Sequence, residues 1–167
     1  MQNNNNNNFT LFSNELSGQA TLSSVFNGFG CTGQNLSPQF HWSNAPEGTK
    51  SFALTLFDPD APTGSGWWHW LIFNIHAKET ELLSGAGDVT AQKAPLGSIQ
   101  SVNDYGQVGY GGPCPPVGHG IHQYIFTLYA LDVEHLDLDA SANPALVGFN
   151  LNAHAIQKAS LVMYYKR

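Results

Sequence analysis

The sequence predicts a β-rich domain with long ordered loops, and three observations carry that prediction. Charged residues make up only 11% of the 167 residues, beside 12% aromatic residues, 17 glycines and 9 prolines. Such a mixture favours strands and ordered turns over surface helices. Three apolar runs of strand length recur along the chain. The last two are separated by residues 97–120, "GSIQSVNDYGQVGYGGPCPPVGHG", a Gly/Pro-rich connection of a length that compact domains keep for functional loops. No repeat or linker divides the chain, which reads as one domain over 9–167 behind an Asn-rich low-complexity tail at 1–8.

The elements follow in order. "PQFHWS", residues 38–43, is a short strand candidate. "FALTLFD", 52–58, places Phe52, Leu54 and Leu56 on one face and Thr55 opposite. It runs into "DPDAP", 58–62, where proline removes a donor and aspartate bonds its own backbone, so the strand must turn. In "WWHWLIFNIHA", 67–77, a period of two groups His69 with Leu71, Phe73 and Ile75, and Trp68 with Trp70 and Ile72. Both faces are apolar, which predicts a central strand buried on both sides. "HQYIFTLYAL", 122–131, aligns His122, Tyr124, Phe126 and Leu128 against Ile125, Thr127 and Tyr129. The remainder, 143–167, reads as helical: Asn143 caps, Pro144 takes the first position and Gly148 interrupts. A second helix is expected from about Asn152, with Ala155, Ala159 and Val162 on one stripe.

Charge and hydropathy exclude several classes. Six basic residues stand against twelve acidic ones, a net −6, with no Lys/Arg cluster to follow a nucleic-acid backbone. No apolar run approaches the roughly 18 residues of a membrane span, so no stable membrane insertion is expected. "MQNNNNNNFT" has neither a basic nor an apolar leader region, which favours the cytoplasm, or the periplasm if a precursor segment has been removed. Cys31 and Cys114 both lie in Gly-rich loops, and one bridge and two free thiols both remain open. Asp58, His69, His122 and Tyr124 stand at strand ends. Each alone reads most simply as a satisfied core residue, but His122 and Tyr124 are two apart, share a face and can line one cavity.

"DPDAP", "WWHWLIFNI" and "GYGGPCPPVGHGIHQYIFTLYALD", in that order, resemble the signatures of the phosphatidylethanolamine-binding protein family, which includes the Raf kinase inhibitor protein. "CTGQNLSPQFHWSNAPEGTKSFAL" resembles its bacterial branch, and the likeness runs from about residue 9 onward. The resemblance implies two antiparallel sheets in a β-sandwich with short helices, and a small anion pocket at one end. It carries ligand-binding roles to Asp58, His69, Pro116, His122 and Tyr124, and implies no catalytic residue, no metal and no cofactor. Its ligand would be phosphate or a phosphoethanolamine-like lipid head group, and its pattern places Cys31 and Cys114 near one another. Gln123 stands where the family carries Arg, which loses a charge and an ion pair near Asp60.

Two imidazoles beside a carboxylate are expected to hold protons and donate to a phosphate, strengthening binding as pH falls. Backbone amides of the Gly residues and Cys114 in "GGPCPP" would add donors. The competing reading is a metal-dependent hydrolase using His69, His122 and Asp58 as a two-His, one-carboxylate site. A Ser/His/Asp enzyme is weaker, since no "GxSxG" elbow occurs. A homodimer and a kinase-type partner are compatible with the resemblance, but no residue of the sequence specifies either.

Overall fold

The structure is a computed structural model describing residues 8–167. Of the predicted tail, residues 1–7 lie outside the described residues. Strands β1 (Thr10–Phe12), β2 (Phe40–Ser43) and β5 (Glu81–Leu82) form a small antiparallel sheet in the order β1-β2-β5. Strands β3 (Ser51–Asp58), β4 (Trp67–His76), β6 (Ile99–Gln100), β7 (His122–Leu131) and β8 (Ala155–Tyr165) form the large one, ordered β6-β4-β3-β7-β8. The helix α1 spans Pro144–His154. This is the expected mainly β architecture of two antiparallel sheets.

The large sheet is buried on both faces, as its apolar runs require. Phe52, Leu54 and Leu56 meet Phe126 and Leu128 of β7 and Phe40 and Trp42 of the small sheet in the sandwich core. On the opposite face Ala53, Leu71, Phe73 and Leu131 pack against Val147 and Leu151 of α1. Burying a side chain of this size stabilises by about 1.5–3 kcal/mol, so these two layers dominate the fold.

Strand β4 departs from simple alternation. The register moves by one residue between Phe52 and Leu54, and again between Leu56 and Phe57, where Leu56 faces Trp70 and Phe57 faces Trp68. His69 is the extra residue of the second bulge. The first lies beside Asn74, whose φ of 57° is left-handed and whose side chain accepts from Leu136 N at 2.8 Å. Two expected groupings change as a result: Ile75 joins Trp70 and Ile72 in the sandwich core, and Trp68 packs with Leu71 and Phe73 on the helix side.

The second C-terminal helix is not formed. Helix α1 is capped as expected, Asn143 Oδ1 accepting from Leu146 N at 2.9 Å, and Gly148 continues it. From Ala155 the chain becomes β8 and pairs antiparallel with β7, His122 opposite Tyr165 and Leu128 opposite Ala159. The reason is periodic and electrostatic. Ala159 and Met163 are buried in the sandwich core, with Leu161 and Tyr165 packed against it, a period of two. Beside them β7 would otherwise leave an open edge of unpaired backbone groups.

The Gly/Pro-rich connection is ordered around Asn103. Its Nδ2 donates to Gly109 O at 2.9 Å, and its Oδ1 accepts from Tyr105 N at 2.9 Å. Gly112 permits close passage, since a Cβ there would lie 2.0 Å from Ser24 O. The loop is thereby pressed against residues 24–26 at the same end of the sheet as Asp58 and His122.

Candidate functional site

Asp58, His69, Pro116, His122 and Tyr124 line one cavity of about 200 Å³ at this end of the sandwich. Phe29, Trp67, Tyr105, Cys114 and Pro115 line it as well. Asp58 ends β3 and is held by the turn that follows: its Oδ1 accepts from Asp60 N at 2.8 Å. The prolines of "DPDAP" stop the strand there, so the buried carboxylate stays at the cavity base. Its Oδ2 lies 2.7 Å from His122 Nδ1. A carboxylate only accepts, so His122 Nδ1 carries the proton and donates. The other nitrogen, His122 Nε2, lies 2.7 Å from Nδ1 of the exposed His119. Asp58, His122 and His119 thus form a hydrogen-bonded chain from the core to the surface.

His69 is held differently. The bulge in β4 turns it toward β7, where its ring meets Tyr124 edge-on at 5.2 Å. Its Nδ1 donates to Gly111 O at 2.7 Å, which fixes the tautomer and leaves Nε2 with a lone pair. Burial is the dominant influence and lowers its pKa to about 4, overcoming the Gly111 bond and the Asp58 charge, which both act upward. His69 is therefore neutral at neutral pH. The expectation of two protonated imidazoles fails at this residue, because full desolvation outweighs one carboxylate.

Tyr124 is wholly buried, and its hydroxyl makes no hydrogen bond of good geometry, although Asp58 stands near enough to interact with it. Burial first, then the nearby Asp58 charge, push its pKa far up, so it stays a protonated donor. Trp67 Nε1 is likewise buried without a partner. Two of the expected loop amides are already used: Gly111 N donates to His69 O at 2.9 Å and Gly112 N to Asn35 Oδ1 at 2.7 Å, which anchors the loop to β4 and to the segment of Asn35.

Gln123 is exposed, and its backbone amide donates to Asp60 Oδ2 at 2.7 Å. A main-chain donor thus satisfies the carboxylate that an arginine ion pair would have served. The hydrolytic metal arrangement is not gathered: Asp58 Oδ2 and His122 Nδ1 bond each other, and His69 Nδ1 bonds a backbone carbonyl. Among the described residues no group of three His, Cys, Asp or Glu side chains is placed to hold a metal ion.

Cys31 and Cys114 are disulfide-bonded, Cα atoms 6.0 Å apart across 83 residues of sequence. The bridge ties the loop of Phe29 to the loop of Pro115 and Pro116. Arg167 reinforces it, Nε donating to Pro115 O at 2.7 Å and an Nη to Gly30 O at 3.2 Å.

Residues 12–166 match the family model described as phosphatidylethanolamine-binding protein. The chain belongs to the phosphatidylethanolamine-binding protein family. It is 49% identical over 160 residues to the UPF0098 protein YbcL of Escherichia coli, covering 95% of this chain and 87% of that one. It is 47% identical over 141 residues to YbhB of the same organism, covering 84% of this chain and 88% of that one. The crystal structure of E. coli YbcL, described as a new member of the mammalian PEBP family, superposes with a TM-score of 0.93, covering 95% of this chain and 98% of that one. A Chlamydia trachomatis homolog of the family, 28% identical, gives 0.78 and covers 96% and 99%.

Several cavity residues escape sequence reasoning. Trp67 had a signal, since it lies two positions from His69 on the same strand. Phe29 and Tyr105 had none, and neither did His119, which reaches the site only through His122, because each arrives on a loop whose path is set by distant contacts.

Proposed function

We propose that the chain is a binding protein for a small phosphate-bearing ligand, held in the cavity between His69 and His122. The observation that carries this reading is the Tyr124 hydroxyl, buried at the cavity without a hydrogen bond of good geometry. An unpaired buried donor costs about 1–3 kcal/mol, and an oxyanion in the cavity would repay it. Trp67 Nε1 is a second such donor; His122 Nε2, freed of His119, adds a third only as an imidazolium, because its Nδ1–H stays on Asp58. His69 Nε2, neutral, offers an acceptor. That combination suits a phosphate group still carrying one proton: charged oxygens for the donors and a P–OH for His69. A cavity of about 200 Å³ holds the volume of six or seven waters at about 30 Å³ each, room for a head group and not for a long chain.

We read the chain as a binder and not an enzyme, because the cavity gathers hydrogen-bonding groups suited to hold an anion and His122 Nδ1 is committed to Asp58. Among the described residues no helix is long and apolar enough to cross a membrane. The Cys31–Cys114 bridge favours an oxidising compartment over the reducing cytoplasm that the sequence favoured.

Tyr124→Phe tests the reading, since it deletes one oxygen and nothing else. Calorimetric titration with inorganic phosphate and phosphoethanolamine should show affinity falling about tenfold, while thermal stability stays level or rises. Unchanged affinity would remove Tyr124 from the site and the reading with it.

A further inference from the structure

One joint of the cavity wall is fastened twice. Phe29 lines the cavity from one loop, and Cys114, Pro115 and Pro116 line it from another. The Cys31–Cys114 bridge joins the two loops. Arg167 spans the same joint one residue to the side, Nε donating to Pro115 O at 2.7 Å and an Nη to Gly30 O at 3.2 Å. A covalent clasp and a charge-assisted one thus run side by side, Cys31 to Cys114 and Gly30 to Pro115. A guanidinium suits this place, since its donors fork, reach two acceptors at once and never lose their charge.

Little else fastens the loop that carries Phe29. Its ends meet at Phe26, whose N donates to Pro113 O at 3.0 Å and whose O accepts from Gly33 N at 2.9 Å. Between them Cys31 N bonds Gly28 O within the loop at 2.9 Å. Cys114 Sγ lies 3.6 Å from Gly28 O, but a disulfide sulfur has no hydrogen to donate. Among the described residues, Arg167 is the one outside donor that reaches residues 27–32. Phe29 is left-handed, φ 53°, a conformation that a bulky residue keeps only while its surroundings impose it. Arg167 is itself anchored, its carbonyl accepting from Gly118 N at 3.0 Å. Both ion pairs among the described residues are His–Asp pairs, so no carboxylate draws the guanidinium away from the two carbonyls.

We propose that Arg167 is a positioning residue that holds this wall together when the Cys31–Cys114 bridge is open, so the cavity keeps its shape in oxidising and reducing surroundings alike. Each clasp limits how far the two loops can part, and with either in place the other adds little. Redundancy of this kind has a signature: removing both does more than the two single removals combined. The consequence for a phosphate ligand rests on the reading given above; the clasp itself rests on the two loops and Arg167 alone.

The test follows the Cys31 amide by hydrogen exchange in four states of the full chain: bridged and thiol-reduced, each with Arg167 and with Arg167→Ala. Phe126, on β7 between two paired strands, is the reference for global unfolding. Reduction alone and Arg167→Ala alone should each speed Cys31 exchange less than about threefold, and both together more than about thirtyfold, with Phe126 unchanged. Inorganic phosphate, titrated calorimetrically into the same four states, should bind about tenfold more weakly only in the doubly opened one. Single effects that merely multiply, full opening by reduction alone, or exchange that rises equally at Phe126 overturns the clasp. Redundant exchange with no phosphate binding in any state upholds the clasp and sinks the phosphate reading. Redundant exchange with equal phosphate affinity in all four states upholds the clasp and removes this wall from the phosphate site.

Discussion

His69 and His122 line the same cavity on β4 and β7, the two strands that flank β3, yet the chain holds them by opposite means. His69 sits on a bulge, wholly desolvated, with a backbone carbonyl as its partner and no proton to spare at neutral pH. His122 sits on a regular strand between a carboxylate and a second imidazole, with a continuous path of hydrogen bonds to the surface. The difference shows that residue type does not decide the role. What each Nδ1 touches, and how much water the ring has lost, makes one imidazole a neutral acceptor and couples the other to a carboxylate.

The largest expected effect comes from removing the partner that distinguishes the two. Asp58→Ala leaves His122 Nδ1–H and Asp60 N without their acceptor in a buried site. Leaving a buried donor unsatisfied costs about 1–3 kcal/mol, so two of them make a loss measurable by urea unfolding. A loss below about 1 kcal/mol would mean that His122 does not depend on Asp58.

Next comes the pH dependence carried by His69. Its folded pKa, about 4, lies below the unfolded value of 6.5, so between these the unfolded chain binds more protons. Its contribution is therefore fully present above pH 6.5 and is lost as pH falls toward 4, up to about 3 kcal/mol. His69→Phe, neutral throughout, should flatten that part of the stability profile. An NMR titration of the His69 ring centred near 6.5 would contradict the comparison. For the same reason His69 should contribute nothing to any change in phosphate affinity between pH 5.5 and 8.5.

The smallest effect sharpens the His122 side. His119→Ala removes the imidazole that a ligand must displace from His122 Nε2. One hydrogen bond is worth about 1 kcal/mol net, so phosphate should bind about fivefold tighter with stability nearly unchanged. Weaker binding would instead make His119 a ligand contact of its own.

Much of this arrangement was legible in the sequence. The turn at Asp58 follows from two prolines in five residues, and the shared face of His122 and Tyr124 follows from a spacing of two. The family pattern named five of the residues that line the cavity. The charge state of His69 was not legible, because burial that complete is assembled from β7 and from the loop around Gly111, far away in sequence. The wall of Phe29 and Tyr105 was hidden for the same reason. Strand β8 was misread because Ala155, Ala159 and Val162 satisfy a helical period, while the deciding fact, the open edge of β7, is tertiary.

The two bulges of β4 have a consequence for phase. A single one-residue shift would send every side chain beyond it to the wrong face. Two such shifts, one near Asn74 and one at His69, add to a full side-chain period. Both ends of β4 therefore meet β3 in the same parity, and only the stretch between runs out of step. Deleting one residue at each bulge should keep the strand's ends and the sheet while withdrawing His69 from the cavity. Architecture and binding site are separable here by two residues, one of them the histidine itself.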